Sequence, residues 1–348
     1  SESVLDTISP VIDKIFVKID THTMKPYEDQ AEEYIYEEIE IPGVKETRTG
    51  HYEDVSDING IVMPMLFYDA LEDNRQRGLL QHLVRMAMTS IPLDKHKYLH
   101  NMVDTMPEKC ETIEEYLFVA NLCIAVQERL YSKLKQLRED EYDWLTPEMV
   151  SACVAQFERV VGPFCHTEEW QAEYTIVTQN RDEDHFYIDK FVQNALQSDA
   201  VVYRIGARAD LMTTNTLWEM KCTTNLTIEH KMQLVWYMWL WYMQMPSKER
   251  MTKQYKTGYL FNVKTGELLQ LQASMEELNL IVREMIKDKF KEEIPKTDPE
   301  FLQHIYDTRG YPVVQEAEAE SEAEAESEAT ITNEIPGMVS ASSLSIVV

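Results

Sequence analysis

The sequence contains no apolar run near the roughly 18 residues that a membrane-spanning helix needs. Its longest candidate, 234–243, is about half that length, so no membrane partner is expected. The opening SESVLDTISP lacks the basic start and apolar stretch of a secretory signal, which leads to the expectation of an intracellular protein. Five cysteines, Cys110, Cys123, Cys153, Cys165 and Cys222, form no CxxC pair, so reduced and mostly buried thiols are expected rather than disulfides or a cysteine-bound zinc. No GxxxxGK[ST] occurs, which excludes a P-loop motor. Basic residues are also scarce, with 33 Lys and Arg against 61 Asp and Glu and a formal charge of −28. Nucleic-acid coats bind phosphate through Lys and Arg that release counterions, so this chain is not one of them. Part of the excess is local: QEAEAESEAEAESEAT at 315–330 holds seven glutamates, without which the charge is still −21. An enzyme of this balance that acts on nucleic acid needs a few cations along one groove and metal ions to neutralise its acidic centre.

What is present suffices for a large core, since 44% of the 348 residues are hydrophobic and 10% aromatic. Residues 1–57 read as an acidic, solvated arm or linker, with Glu28, Asp29, Glu32, Glu33, Glu37, Glu38 and Glu40 crowded between Pro26 and Pro42. Residues 58–162 read as helical. Thr112 and Glu115 have capping-box spacing ahead of an amphipathic run through Leu137, and Thr146-Pro147 suits another helix start. From Trp170 the texture changes to strands over 170–177, 201–212 and 216–223, the last two joined by a short turn at 213–215. A helix over 228–245, a second hairpin turning at Lys264-Thr265-Gly266 and a final helix over 274–289 follow. The order predicts an α+β layer architecture with its mixed-sheet core in 163–312. Residues 313–348 read as a disordered acidic tail with no packing partner.

Glu219 and Lys221 are two apart on a predicted strand, so they leave the same face. Asp210 lies across the hairpin, where its carboxylate can converge with that of Glu219 on one hard cation. Two carboxylates can hold Mg²⁺ or Mn²⁺, the Met220 carbonyl can complete the shell, and Lys221 can orient water or stabilise charge on phosphorus. Charges at alternate strand positions also form ordinary solvated faces. In the otherwise apolar helix that follows, Gln233 and Tyr237 stand at i and i+4 and share one face.

A strand ending in Asp210, a hairpin, WEMK, a helix carrying QxxxY and a second hairpin together resemble the RecB and lambda-exonuclease branch of the PD-(D/E)XK nucleases, in particular versions encoded by large DNA viruses. The resemblance covers about a third of the chain, 168–289. It implies that Asp210 and Glu219 are metal ligands, Lys221 the catalytic lysine, and Gln233 and Tyr237 the pair that closes the site. Relatives often carry a further Glu on the preceding strand, here Glu173, and an upstream His in a GxxxH element, here Gly78-Leu79-Leu80-Gln81-His82. Glu128 is another acidic candidate. Where the family often has Gly three residues before the Asp, this chain has Ala207, with Gly206 one place earlier. Relatives that clamp an iron–sulfur cluster use cysteines after the QxxxY helix; none follows Cys222.

The expected function is therefore a divalent-metal-dependent DNA nuclease, an exonuclease or end-processing enzyme of viral recombination, repair or genome processing, located in the host cytoplasm, nucleus or virion. Two alternatives stay open. One is a nuclease-fold interaction module whose acidic surface and tail recruit a helicase or replication protein. The segment 52–65 resembles sequence between helicase and nuclease parts of some viral proteins. The other is an RNA-cleaving enzyme, since phosphodiester chemistry is shared and nothing here reads the 2′-hydroxyl.

Overall fold

The computed structural model describes residues 4–19, 38–71, 78–129, 132–137, 141–177, 186–197, 204–245, 256–289 and 345–347. In chain order its elements are α1 (Val4–Ile15), β1 (Phe16–Ile19), β2 (Val44–Glu46), β3 (Tyr52–Asp54) and α2 (Ser56–Ala70). Next come α3 (Leu79–Met88), α4 (Lys97–Asp104), α5 (Ile113–Glu128), α6 (Ser132–Gln136), α7 (Pro147–Val160) and α8 (Gly162–Thr167). The sheet-forming part holds β4 (Trp170–Val177), α9 (Phe186–Leu196), β5 (Arg204–Thr213), β6 (Thr216–Lys221), α10 (Ile228–Met243), β7 (Thr257–Asn262), β8 (Glu267–Leu271), α11 (Met275–Lys289) and β9 (Ser345–Val347).

Local chemistry explains most boundaries. The Glu115 N–H donates to Thr112 Oγ1 at 3.3 Å and the Thr112 N–H donates to the Glu115 carboxylate at 3.1 Å, closing the capping box that starts α5. The helix ends at Glu128 because Arg129 adopts φ 58, so the single run expected through Leu137 becomes α5 and α6. Pro147 sits in the first turn of α7, where its missing N–H costs no hydrogen bond, and Thr146 accepts the Met149 N–H at 3.3 Å.

The result is an α+β architecture around a mixed sheet of order β1-β8-β7-β6-β5-β4. β4, β5 and β6 form an antiparallel meander, α10 carries the chain from β6 to the parallel neighbour β7, and β7 and β8 form a hairpin. That hairpin closes where Gly266 takes φ 71 and donates its N–H to the Asn262 carbonyl at 2.9 Å. One sheet face, with Leu211, Trp218, Met220 and Phe261, packs beneath α2, α3, α5 and α7. The other, with Ala209, Leu217, Leu260 and Leu269, packs against α1, α9, α10 and α11. α10 lies between the sheet and other helices, which is why Leu234 through Trp241 are all buried. It crosses β7 at Gly258, where a Cβ would meet Met238 Cγ at 3.1 Å. Among the described residues no helix is long and apolar enough to cross a membrane.

Three expectations are corrected. The acidic arm does not begin at the first residues: α1 buries Ile8, Ile12 and Ile15, and β1 adds an antiparallel edge strand to β8, from Phe16↔Leu271 to Ile19↔Leu268. Of the acidic crowd, Glu28, Asp29, Glu32, Glu33 and Glu37 lie outside the described residues. Second, α9 intervenes between β4 and β5, where strand was expected to follow strand. Third, Ser345–Val347 pairs in parallel with β5, from Arg204↔Ser345 to Gly206↔Val347, so the C-terminal end of the expected tail has a backbone partner. The Glu/Ala repeat itself, 315–330, lies outside the described residues.

Ile12 is fully buried, so Ile12→Ala should lower the free energy of urea unfolding by about 2–5 kcal/mol. A loss below about 0.5 kcal/mol, the size of a surface substitution, would return α1 to the solvated-arm reading.

Candidate active site where two strands part

β5 and β6 pair only at Met212↔Leu217 and Leu211↔Trp218; one position further, Asp210 and Glu219 face each other without a ladder between them. On the other side of β5, the pairs Ala172↔Leu211 and Tyr174↔Ala209 flank Glu173 and Asp210. Glu173, Asp210 and Glu219 thus occupy one row across three strands. Side-chain alternation fails at this row. Ala172 packs with the first apolar cluster and Tyr174 and Ile176 with the second, and Leu211 and Ala209 divide the same way. The cause on β4 is Glu173, which takes φ 50. A non-glycine residue held there costs on the order of 1–3 kcal/mol and is retained where surrounding structure enforces it.

The parting leaves a backbone donor without its carbonyl, and a side chain takes over: the Met220 N–H donates to Asp210 Oδ2 at 2.6 Å. Tyr68 of α2 donates to the Asp210 backbone carbonyl at 2.7 Å, tying the helical layer to the same point. Lys221 Nζ donates to Glu219 Oε1 at 2.5 Å and to Gln233 Oε1 at 2.8 Å, and Gln233 Nε2 donates to Tyr237 Oη at 2.7 Å. Gln233 and Tyr237, one turn apart on α10, are therefore joined to Lys221.

These groups line a cleft of about 1060 Å³ between the sheet and the helical layer. Its sheet side presents Glu173, Arg208, Asp210, Glu219, Met220 and Lys221, with Gln233 and Tyr237 from α10. Its opposite side mixes apolar groups, Ile61, Pro64, Leu83, Met86, Ala87 and Val126, with polar and charged ones, Ser56, Asp57, Ser90, Gln127, Glu128 and Arg129. His82 does not join the site. It stands exposed on α3, which reaches the cleft through Leu83, Met86 and Ala87, so the structure does not bring it beside Asp210 and Glu219. Glu128 lines the cleft but is exposed at the end of α5. Arg208 was not anticipated: its Nε bonds Glu173 Oε2 at 2.7 Å. The sequence signal for it was its position two residues before Asp210 on the same strand.

The residues fit a hard cation. Glu219 Oε2 is buried with no N–H or hydroxyl donor, and without a cation only a proton shared with the Asp210 carboxylate satisfies it. Among the described residues no three His, Cys, Asp or Glu side chains converge closely enough to enclose an ion by themselves. A cation here could take oxygens from Asp210 and Glu219, the Met220 carbonyl and water, a mixed shell that suits Mg²⁺ or Mn²⁺.

Electrostatics point the same way. Burial, reinforced by the Asp210 charge, pushes the Glu219 carboxyl up to about 8. Burial also raises Glu173 to about 8, against the pull of Arg208. Asp210 is raised by burial too, with Lys221 and the Met220 N–H opposing. At Lys221 burial favours the neutral amine, and the Glu219 and Asp210 charges outweigh it, so the ammonium is held above the usual lysine value.

Both glutamates bind protons more tightly in the folded chain than at their ordinary 4.5. Stability contributed by their protonation is therefore complete below that value and lost as pH rises through about 8. In metal-free buffer the melting temperature should rise as pH falls from roughly 8.5 to roughly 6, and Glu219→Gln should flatten that slope. Repulsion across the rest of the acidic chain is common to both proteins, so calorimetry giving them equal slopes would refute the assignment. Comparison of the chain with protein-family models, curated proteins and solved structures finds no match.

Proposed function

We propose that the chain is a divalent-metal-dependent DNA nuclease of the PD-(D/E)XK superfamily. One observation carries the reading: a buried row in which Asp210 and Glu219 flank the Met220 backbone, with Lys221 on the same strand bridging Glu219 and Gln233. A solvated strand face is not compatible with these burials, since Glu219 and Lys221 side chains are 2% and 18% exposed. Asp210 and Glu219 would hold Mg²⁺ or Mn²⁺, with Met220 lending its carbonyl. When bound, such an ion supplies Lewis acidity towards a phosphoryl oxygen and a more acidic water.

The chain's own residues have separate tasks. Lys221 is a fixed positive charge beside the carboxylates, placed to stabilise negative charge as a water oxygen adds to phosphorus and the leaving oxygen departs. The Glu219 and Asp210 charges favour its ammonium form, which suits it to an electrostatic role or to orienting the water. Gln233 holds Lys221 Nζ in direction while Tyr237 fixes the Gln233 amide. The apolar groups opposite, Ile61, Pro64, Leu83 and Met86, would lower the local dielectric and strengthen these interactions.

The net charge of −28 favours contact with nucleic acid confined to this cleft, and leaves the remaining acidic surface suited to a protein partner such as a helicase or replication protein.

The test is incubation of the protein with end-labelled single- and double-stranded DNA and RNA in Mg²⁺, Mn²⁺ or EDTA. Metal-dependent loss of DNA is expected; cleavage of RNA alone would reassign the substrate, and no cleavage with any metal would leave the interaction-module reading. Within the site, Asp210→Asn keeps an acceptor for the Met220 N–H but removes a charge. It should abolish cleavage and weaken Mn²⁺ binding in calorimetry by at least the about 10–100-fold that even outer-shell changes cause. Lys221→Ala should lower turnover by about 10²–10³-fold while Mn²⁺ binding stays near the parent's. Full activity in Lys221→Ala would refute the assignment.

A further inference from the structure

Resting on the nuclease reading, we propose that Arg208 grips a phosphate of the bound strand beside the catalytic row, aimed by Glu173. Of the cations lining the cleft among the described residues, Lys221 is committed to Glu219 and Gln233, and Arg129 stands exposed at the end of α5. Arg208 combines a fixed base with an open end. Its Nε is bound by Glu173 Oε2 at 2.7 Å, and its side chain is 38% exposed while the Glu173 side chain is only 10% exposed. With the Gln127 amide oxygen turned towards the guanidinium, it accepts from Nη1 at 3.3 Å and Nη2 at 3.2 Å.

A guanidinium offers five N–H donors in one plane. One is spent on Glu173 and the long contacts to Gln127 spend two more, so donors remain for a phosphate oxygen; Gln127 is exposed and exchanges easily for a stronger acceptor. The backbone geometry supports aiming rather than simple charge balance. Glu173 adopts φ 50, a conformation L side chains rarely take, at the strand position where alternation reverses. That reversal delivers its carboxylate to the Arg208 Nε in the cleft. Phosphate held there would lie two residues along β5 from Asp210, against the sheet. The nucleobases would then face the helical side of the cleft, where Ile61, Pro64, Leu83 and Met86 offer apolar contact.

The experiment measures binding of a fluorescent single-stranded DNA oligonucleotide by anisotropy, with Ca²⁺ replacing Mg²⁺ and over a series of NaCl concentrations, oligonucleotide integrity being checked on gels. Arg208→Ala should weaken binding by about 10–100-fold and reduce the salt slope by about one phosphate contact. Arg208→Lys, a point charge without the fork, should recover part of the affinity. Because Arg208→Ala leaves the buried Glu173 carboxyl without its partner, a double Arg208→Gln/Glu173→Gln variant preserves a neutral hydrogen-bonding pair. It should fold as the parent does and still bind weakly. Parental affinity and salt slope in the folded Arg208 variants, with cleavage by the parent intact, would overturn the Arg208 role alone. A parent that neither binds nor cleaves any nucleic acid would overturn the nuclease reading and this inference with it.

Discussion

Beyond Leu211 and Trp218 the ladder between β5 and β6 ends, and the Met220 N–H finds its acceptor in a side chain, the Asp210 carboxylate. The charge that could hold a cation is therefore also a structural member: it spans the gap that its own strand leaves open. Because the strands part there, the cleft reaches β6 on its β5 side, where Glu219 and Lys221 have no ladder partner, while both stay paired with Leu260 and Asn262 of β7. Tyr68 on α2 fastens the helical layer to the Asp210 carbonyl, so cleft width and carboxylate position are set by connected hydrogen bonds.

Such a site is held at an electrostatic cost. Three acidic side chains in one row, all pushed towards the protonated form by burial, are offset by two cations, Lys221 at Glu219 and Arg208 at Glu173. Burying charge is unfavourable unless it is paired, and one oxygen, Glu219 Oε2, has no donor besides a proton shared with Asp210. The arrangement suits a centre that is complete only with a cation bound. It also reconciles a chain of charge −28 with a phosphate substrate: attraction is confined to a few fixed positive groups within a cleft, and the outer surface contributes repulsion that salt screens.

Much of the layout was legible because its signals are local. Thr112 with Glu115, Thr146 before Pro147 and Gly266 at φ 71 each act within a few residues, so spacing alone announces them. Two apart on a strand and four apart on a helix are fixed geometries, so the shared face of Glu219 and Lys221 and that of Gln233 and Tyr237 were each legible; that the two pairs belong to one site was implied by the family resemblance alone. His82 misled because a GxxxH spacing does not reveal which side of α3 faces the cleft. α1 and β1 were hidden by the acidic stretch after them, although Ile8, Ile12 and Ile15 carry a helical stripe whose partners lie on α10 and α11. Pairing of β1 with β8 joins residues some 250 apart in the chain, and no local pattern encodes it.

By itself the sequence determined the element types around the site, the shared face of Glu219 and Lys221, and the absence of a P-loop or paired-cysteine chemistry, since these depend on backbone periodicity and residue type. Only the tertiary structure decided that β5 and β6 separate at Asp210, that Glu173 adopts a left-handed conformation and turns to Arg208, and that Gln233 reaches Lys221. Those outcomes depend on strand register, on where the β5–β6 ladder ends and on the packing of α10 over β7. Each is settled by contacts between distant segments competing for the same buried space.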